Sequence, residues 1–390
     1  MAIREIIKNK KYKIELYIGR NGSKKIMHYE VINGGKKEAE LRESELKLQI
    51  KNNTFIKKNN KTVENLMNEY INYNRNKWSP KTYISNSVWI SNINKSIGHI
   101  YLRELNVRIL ESFYNELKKA TKQSKDIETK EIKLISKYSD KTIQHHYVII
   151  NGALNKAIQW DYINYNVNQK IEKPKVRKKE IECYNRDDIN KLLNVIENEP
   201  IKYQAIILLA LDSGIRRGEL TGLMWEDIDF KNKSIKINKT TQYTKELGIF
   251  EKNTKSQNSD RIIFISDKTI DILKQYKKEQ LELQLRSGNK WGNSKRVFTS
   301  VLGYDMHPDT PSQIFKKIIK KYNLKRISFH GLRHTSASLL ISEGIQHQII
   351  SRRMGHSSVS VTDKVYSHFF DEEFKDVANK INNVFEFKTS

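Results

Sequence analysis

Cysteine occurs once in this chain, at Cys183, which rules out an intramolecular disulfide framework and any multi-cysteine zinc site. No apolar run approaches the ~20 residues needed to span a bilayer, and Met1-Ala2-Ile3-Arg4-Glu5 lacks the apolar core of a secretory signal. A cytoplasmic protein without a membrane partner is therefore expected. There is no G-x-x-x-x-G-K-[ST] loop for a nucleotide, and no dense cluster of carboxylates and histidines that demands a metal, so no cofactor and no metal are expected. An acidic nuclease triad assembled from distant residues stays open, but nothing in the sequence nominates one. No internal repeat is visible. Acidic residues are also in deficit: 71 Lys and Arg face 45 Asp and Glu, for a formal net charge of +26 and a pI near 9.7. That balance points to a polyanionic partner, with nucleic acid first and a solvated basic face or a membrane surface as the alternatives.

What is present can fold. Hydrophobic residues make up 37% of the 390, and the 30% that are charged are not gathered into low-complexity blocks. The length exceeds one ordinary core, so three domains are expected, with boundaries at 1–60, 61–170 and 180–390. In the first, Tyr12, Ile14, Leu16 and Ile18 alternate with polar neighbours as in a half-buried strand. Gly19-Arg20-Asn21-Gly22 reads as a turn, Lys25 to Ile32 as a second strand, and Lys36 to Ile50 as a helix. This small sheet-plus-helix module holds 15 Lys and Arg against 7 Glu.

From Thr62 to Asn168 the apolar spacing turns helical, as in Val63, Leu66, Met67, Tyr70 and Ile71, and Ser79-Pro80 looks like a helix start. The polar stretch Thr121 to Lys137 either extends a helix or forms a solvated connection. Lys170 to Lys179 sets one proline among seven charged residues and offers little to bury, which suits a linker. Beyond it, Tyr203 to Leu211 reads as a buried helix, Ser234 to Asn238 and Arg261 to Ile265 as strands, and the remainder to Val384 as largely helical. The fold class expected is mostly α with small β elements, the last domain being mixed α/β.

Three boxes in that last domain carry chemistry. In Ser213-Gly214-Ile215-Arg216-Arg217-Gly218-Glu219, a glycine that can take the left-handed conformation ends the apolar helix and leaves Arg216 at a corner. In His330-Gly331-Leu332-Arg333-His334, a helical spacing of three puts His330 and Arg333 on one face, where imidazole and guanidinium can converge on one phosphate. Met354-Gly355-His356 is followed by Tyr366, one of 19 tyrosines, singled out only by its place in the pattern. Together these boxes resemble those of the tyrosine recombinase family, most closely phage and conjugative-transposon integrases. The segment Asn253-Thr254-Lys255-Ser256 resembles the family's lysine-bearing hairpin. Asn253 stands where the family often has a first lysine, which leaves Lys252 as the alternative to Lys255.

The resemblance implies a site-specific DNA strand breaking and rejoining enzyme with Tyr366 as nucleophile. A phosphodiester needs preorganised cations as charge shifts during attack, and the planar guanidinium forks of Arg216 and Arg333 suit its non-bridging oxygens. His356 adds a further donor. At neutral pH only about a thousandth of a free phenol is ionised, so Tyr366 needs a proton acceptor, for which His330 is placed. Lys255 is placed to protonate the departing 5′ oxygen. The phosphotyrosine ester retains the energy of the broken bond, so rejoining needs no nucleotide.

By the same resemblance, residues 1–60 form an arm-type DNA-binding domain with a three-stranded sheet and a helix. Residues 61–170 form a helical core-binding domain and 180–390 the catalytic domain. The implied partner is double-stranded DNA with core and arm-type sites, and the implied assembly a homo-tetramer, aided by an excision factor or a DNA-bending protein. The tail after Tyr366 has apolar residues at near-helical spacing, from Phe369 to Phe385, and either packs in cis or docks on a neighbouring subunit. The rival readings are a type IB topoisomerase-like enzyme and a non-catalytic DNA-binding regulator.

Overall fold

A computed structural model describes residues 2–8, 10–21, 24–51, 60–125, 132–176, 182–253 and 260–355. Lys255, His356, Tyr366 and the tail lie outside the described residues. The chain divides into two compact units, Met1–Lys178 and Lys179–Ser390.

The first unit begins with three antiparallel strands in the order β1 (Ala2–Ile7), β2 (Lys11–Asn21), β3 (Lys24–Asn33), followed by helix α1 (Lys36–Lys51). The alternation in β2 works as a half-buried strand should: Tyr12, Ile14 and Leu16 are buried, and Leu46 of α1 completes a small core with Ile14 and Leu16. The turn expected at Gly19-Arg20-Asn21-Gly22 is corrected. Gly19, Arg20 and Asn21 still pair with Ile26, Lys25 and Lys24, and the register shifts between Tyr17 and Gly19. A bulge there absorbs one residue without ending the strand, which moves the reversal to the end of β2.

Four helices follow: α2 (Val63–Asn74), α3 (Pro80–Ile97), α4 (Val107–Lys119) and α5 (Asp140–Gln159). Each starts on a side-chain cap from Thr62, Ser79, Asn106 or Ser139, which satisfies backbone N–H groups that the first turn leaves open. Their apolar stripes meet in one core that includes Leu66, Met67, Ile93, Leu110, Phe113, Ile150 and Leu154. The described residues between α4 and α5 do not extend a helix. Strands β4 (Thr121–Lys125) and β5 (Ile132–Ser136) pair antiparallel from Thr121↔Ser136 to Lys125↔Ile132. The β-branched Thr121, Ile132 and Ile135 favour that extended backbone over helix.

In the second unit, α6 (Arg186–Ile196) leads to α7 (Ile201–Ser213), whose residues Ala205 to Leu211 are all buried. Helix α7 belongs to one core that also takes in Ile235, Ile263, Leu273, Phe298, Phe315 and Leu332. A short helix, α8 (Arg217–Gly222), follows. Next come β6 (Ile228–Asp229), β7 (Ser234–Ile237), the hairpin β8 (Lys239–Thr244) and β9 (Gly248–Asn253), then β10 (Arg261–Phe264). One sheet has the order β10-β7-β6, and β8-β9 form a separate two-stranded sheet. Helices α9 (Asp267–Ser287), α10 (Thr310–Lys321), α11 (Phe329–Ser342) and α12 (His347–Met354) complete the described part. Among the described residues, no helix is long and apolar enough to cross a membrane.

Candidate active site

Gly214 ends α7 in the left-handed conformation at φ 61°, as the first box requires. The chain then turns, and Arg216 occupies the position before α8 with an extended backbone. Its guanidinium is half-buried and points two ways. Nη1 donates to Glu219 Oε1 at 3.0 Å and Nη2 donates to the carbonyl of Gly355 at 2.8 Å. The backbone N–H of Arg216 donates to the other oxygen of Glu219, at 3.0 Å.

Glu219 is itself buried, at 4% exposure, and also accepts from Arg261: Nη2 to Oε2 at 2.8 Å and Nη1 to Oε1 at 3.3 Å. Burial alone pushes the Glu219 carboxyl up, but the Arg261 hydrogen bond and the charges of Arg261 and Arg216 outweigh it, so the group is held below its ordinary range. Arg261 Nε donates to the carbonyl of Arg353 at 2.8 Å. The carboxylate thus locks one face of Arg216 and holds Arg261, which in turn ties β10 to the end of α12.

Arg333, on α11, is 3% exposed. Nη1 donates to the carbonyl of Gly214 at 2.6 Å and Nη2 to that of Met354 at 2.5 Å. Helix α12 ends at Gly355, left-handed at φ 64°. Arg333 and Arg216, from two distant boxes, therefore hold the consecutive carbonyls of Met354 and Gly355, and His356 is the next residue in the chain. Gly214 packs so closely on this turn that an added Cβ would lie 2.5 Å from the Met354 sulfur.

His330 stands one helical turn before Arg333 and keeps a solvent-exposed edge. Its ring meets that of His334 edge-on, with centroids 4.9 Å apart. Desolvation by the protein around the ring lowers the His330 pKa, and the charges of Arg333, Arg216 and Arg217 lower it further. Desolvation likewise pulls His334 down to about 4, helped by His330 and Arg333. Both imidazoles are thus biased toward the neutral form, the form that can accept a proton. Arg217 turns away to Asp309 Oδ1 at 2.7 Å and Ser312 Oγ at 3.1 Å.

Of the six residues expected in the site, the structure brings Arg216, His330 and Arg333 together, while Lys255, His356 and Tyr366 lie outside the described residues. Lys252, the alternative to Lys255, is on β9, paired with Thr240. Sequence reasoning missed Glu219 and Arg261. A signal for Glu219 was present, since an acid three residues into a helix start is a capping pattern. Arg261 gave none, because a basic residue opening a strand reads as an edge charge. Among the described residues there is no group of three or more His, Cys, Asp or Glu side chains suited to a metal.

A model of the phage integrase family matches residues 183–373, and one of the phage integrase SAM-like domain matches residues 62–172. A tyrosine recombinase XerC-like protein of Caldanaerobacter subterraneus is 26% identical over 398 residues, 97% of this chain and 98% of that protein. The ICEBs1 integrase of Bacillus subtilis is 26% identical over 253 residues, 63% of this chain and 66% of its own length. Among solved structures, the Tn1549 transposon integrase in complex with transposon right end DNA superposes with a TM-score of 0.67 at 19% identity, over 81% of this chain and 99% of that one. A lambda integrase dimer bound to a COC′ core site gives 0.56 at 16% identity, over 94% and 93%. These superpositions establish a shared fold.

Proposed function

The chain belongs to the phage integrase family of tyrosine recombinases, enzymes that break and rejoin DNA, and from that premise we propose that Tyr366 is its nucleophile, with Arg216, Lys255, His330, Arg333 and His356 as the other catalytic groups. DNA is its partner. The observation that carries the site assignment is the convergence of Arg216 and Arg333 on the two carbonyls that directly precede His356.

The phenol oxygen of Tyr366 attacks phosphorus, the bond to the 5′ oxygen breaks, and a 3′-phosphotyrosine forms. The guanidinium groups of Arg216 and Arg333 meet the non-bridging oxygens as negative charge shifts onto them. His330, held neutral, takes the phenol proton. Lys255 protonates the departing 5′ oxygen, and His356 donates to the phosphate. Reversal with a new 5′ hydroxyl rejoins the strand. Residues 1–60 serve as the arm-type DNA-binding domain, 61–170 as the core-binding domain and 180–390 as the catalytic domain. The assembly is a cytoplasmic homo-tetramer on core and arm-type sites that integrates or excises a mobile element with an accessory excision or DNA-bending factor.

A nicked suicide duplex tests this reading. The wild-type chain is expected to form an SDS-stable protein–DNA adduct, and Tyr366→Phe to form none while still binding DNA, because the change removes a nucleophile and no charge. An adduct that survives in Tyr366→Phe reassigns the nucleophile.

A further inference from the structure

Arg296 is 5% exposed, lies outside the three boxes and has no part in the chemistry above. Its Nη2 is shared between Asp305 Oδ2 at 3.1 Å and Glu251 Oε1 at 3.2 Å, while its buried Nη1 finds no hydrogen-bond partner. A buried guanidinium is costly to desolvate, and an apolar side chain of similar volume often serves stability as well or better. What Arg296 accomplishes is a connection. Glu251 is on β9, which also carries Lys252 and ends at Asn253, two residues before Lys255 in the sequence. Asp305 is held in turn by Ser294 Oγ at 2.7 Å, and the backbone of Arg296 bridges to Met224, with Val297 N–H donating to Leu223 at 2.8 Å. Leu223 is where α8, the helix launched by Arg216, ends.

The other strand of the hairpin refers to the same helix. Thr241 Oγ1 on β8 lies 3.1 Å from the Gly218 carbonyl and 2.5 Å from Thr221 Oγ1. A two-stranded sheet alone has marginal stability, so the position of β8-β9 depends on such tethers. We propose that Arg296 and Glu251 form a clamp that positions the β8-β9 hairpin, which carries Lys252 and precedes Lys255 in the chain, against α8, so that the leaving-group acid and Arg216 keep a fixed separation. Both are positioning residues, since neither touches the reacting atoms. The inference rests on the reading of Lys255, or its neighbour Lys252, as the acid that protonates the 5′ oxygen.

The experiment is single-turnover cleavage by the full chain on two suicide substrates, an ordinary phosphodiester and a 5′-bridging phosphorothiolate whose sulfur leaves without protonation. Glu251→Gln is the variant of choice, because it leaves the Arg296–Asp305 pair intact and Glu251 is partly exposed. Small displacements of catalytic groups cost up to about 100-fold, so we expect phosphodiester cleavage to slow about 10- to 100-fold and phosphorothiolate cleavage to stay near the wild-type rate. Glu251→Asp, which keeps the charge, should recover part of the loss. Equal slowing on both substrates overturns the clamp in favour of a merely structural role, and no slowing on either overturns it outright. If Lys252→Ala and Lys255→Ala also gain nothing from sulfur, the acid reading falls and the clamp with it. Rescue of a lysine variant without rescue of Glu251→Gln sinks the clamp alone.

Discussion

At the scale of single residues, one carboxylate governs the geometry. Glu219 pairs with two arginines at once, and its removal or that of Arg261 strands charge in a buried setting. Breaking such a pair from one side costs about 3–5 kcal/mol, so Arg261→Met should lower the free energy of unfolding by that order, measured by equilibrium denaturation. Gly214→Ala should also destabilise, since left-handed backbone costs an L-residue about 1–2 kcal/mol and the new methyl meets Met354. For His330 the expectation concerns pH. Its folded pKa lies below the ordinary imidazole value, so a rate limited by its neutral form should hold as pH falls to about 6.5 and decline only below that. A pH–rate profile of single-turnover cleavage checks this, and His330→Asn should remove the acid limb. The boxes made Arg216, His330 and Arg333 legible because their spacing is local. Arg261 was not, because its role depends on contacts with Glu219 and Arg353 that no local pattern encodes.

At the scale of elements, caps and periodicity were the readable part. Ser79 with Pro80 marks the start of α3, and the alternation of Tyr12, Ile14 and Leu16 marks β2. The β4-β5 hairpin escaped because β4 is wholly polar and β5 is too short to establish the period of a strand. The bulge in β2 escaped because turn-forming residues can also serve within a paired strand. Helix α5 yields a further expectation. His146 is 0% exposed, its Nδ1 donates to the Thr142 carbonyl at 2.8 Å, and the rings of Phe113, Tyr138 and Trp89 surround it. Desolvation lowers its pKa, although the Thr142 bond opposes the shift. A depressed folded pKa means that the unfolded chain binds the proton more tightly, so stability is intact above about pH 6.5 and is lost as pH falls through the folded value. Thermal melts of the full chain from pH 7.5 to 5 should show this loss, and His146→Gln should flatten it.

For the whole molecule, the decisive quantity is the charge of +26. Partners of DNA release counterions when they neutralise phosphates, so affinity for a random duplex should fall steeply with salt. With six or more phosphate contacts the loss is about 1,000-fold between 50 and 200 mM, read by fluorescence anisotropy. A shallow salt slope would mean that the basic surface is mostly idle. Composition made this polyanion partner legible, and the division into two units falls at Lys178 and Lys179, at the end of the charged stretch Lys170 to Lys179 that the sequence offered as a linker.

Two helices, α7 and α12, finish on left-handed glycines, and a single guanidinium is stitched across both finishes. Insertion or deletion of even one residue between Gly214 and Arg216, or at Met354 and Gly355, would move a guanidinium or a carbonyl out of register with its counterpart. The exposed reversal at Lys245 to Leu247, joining β8 to β9, is under no such constraint. A library of single-codon insertions should therefore find silence at those two corners and tolerance at that tip.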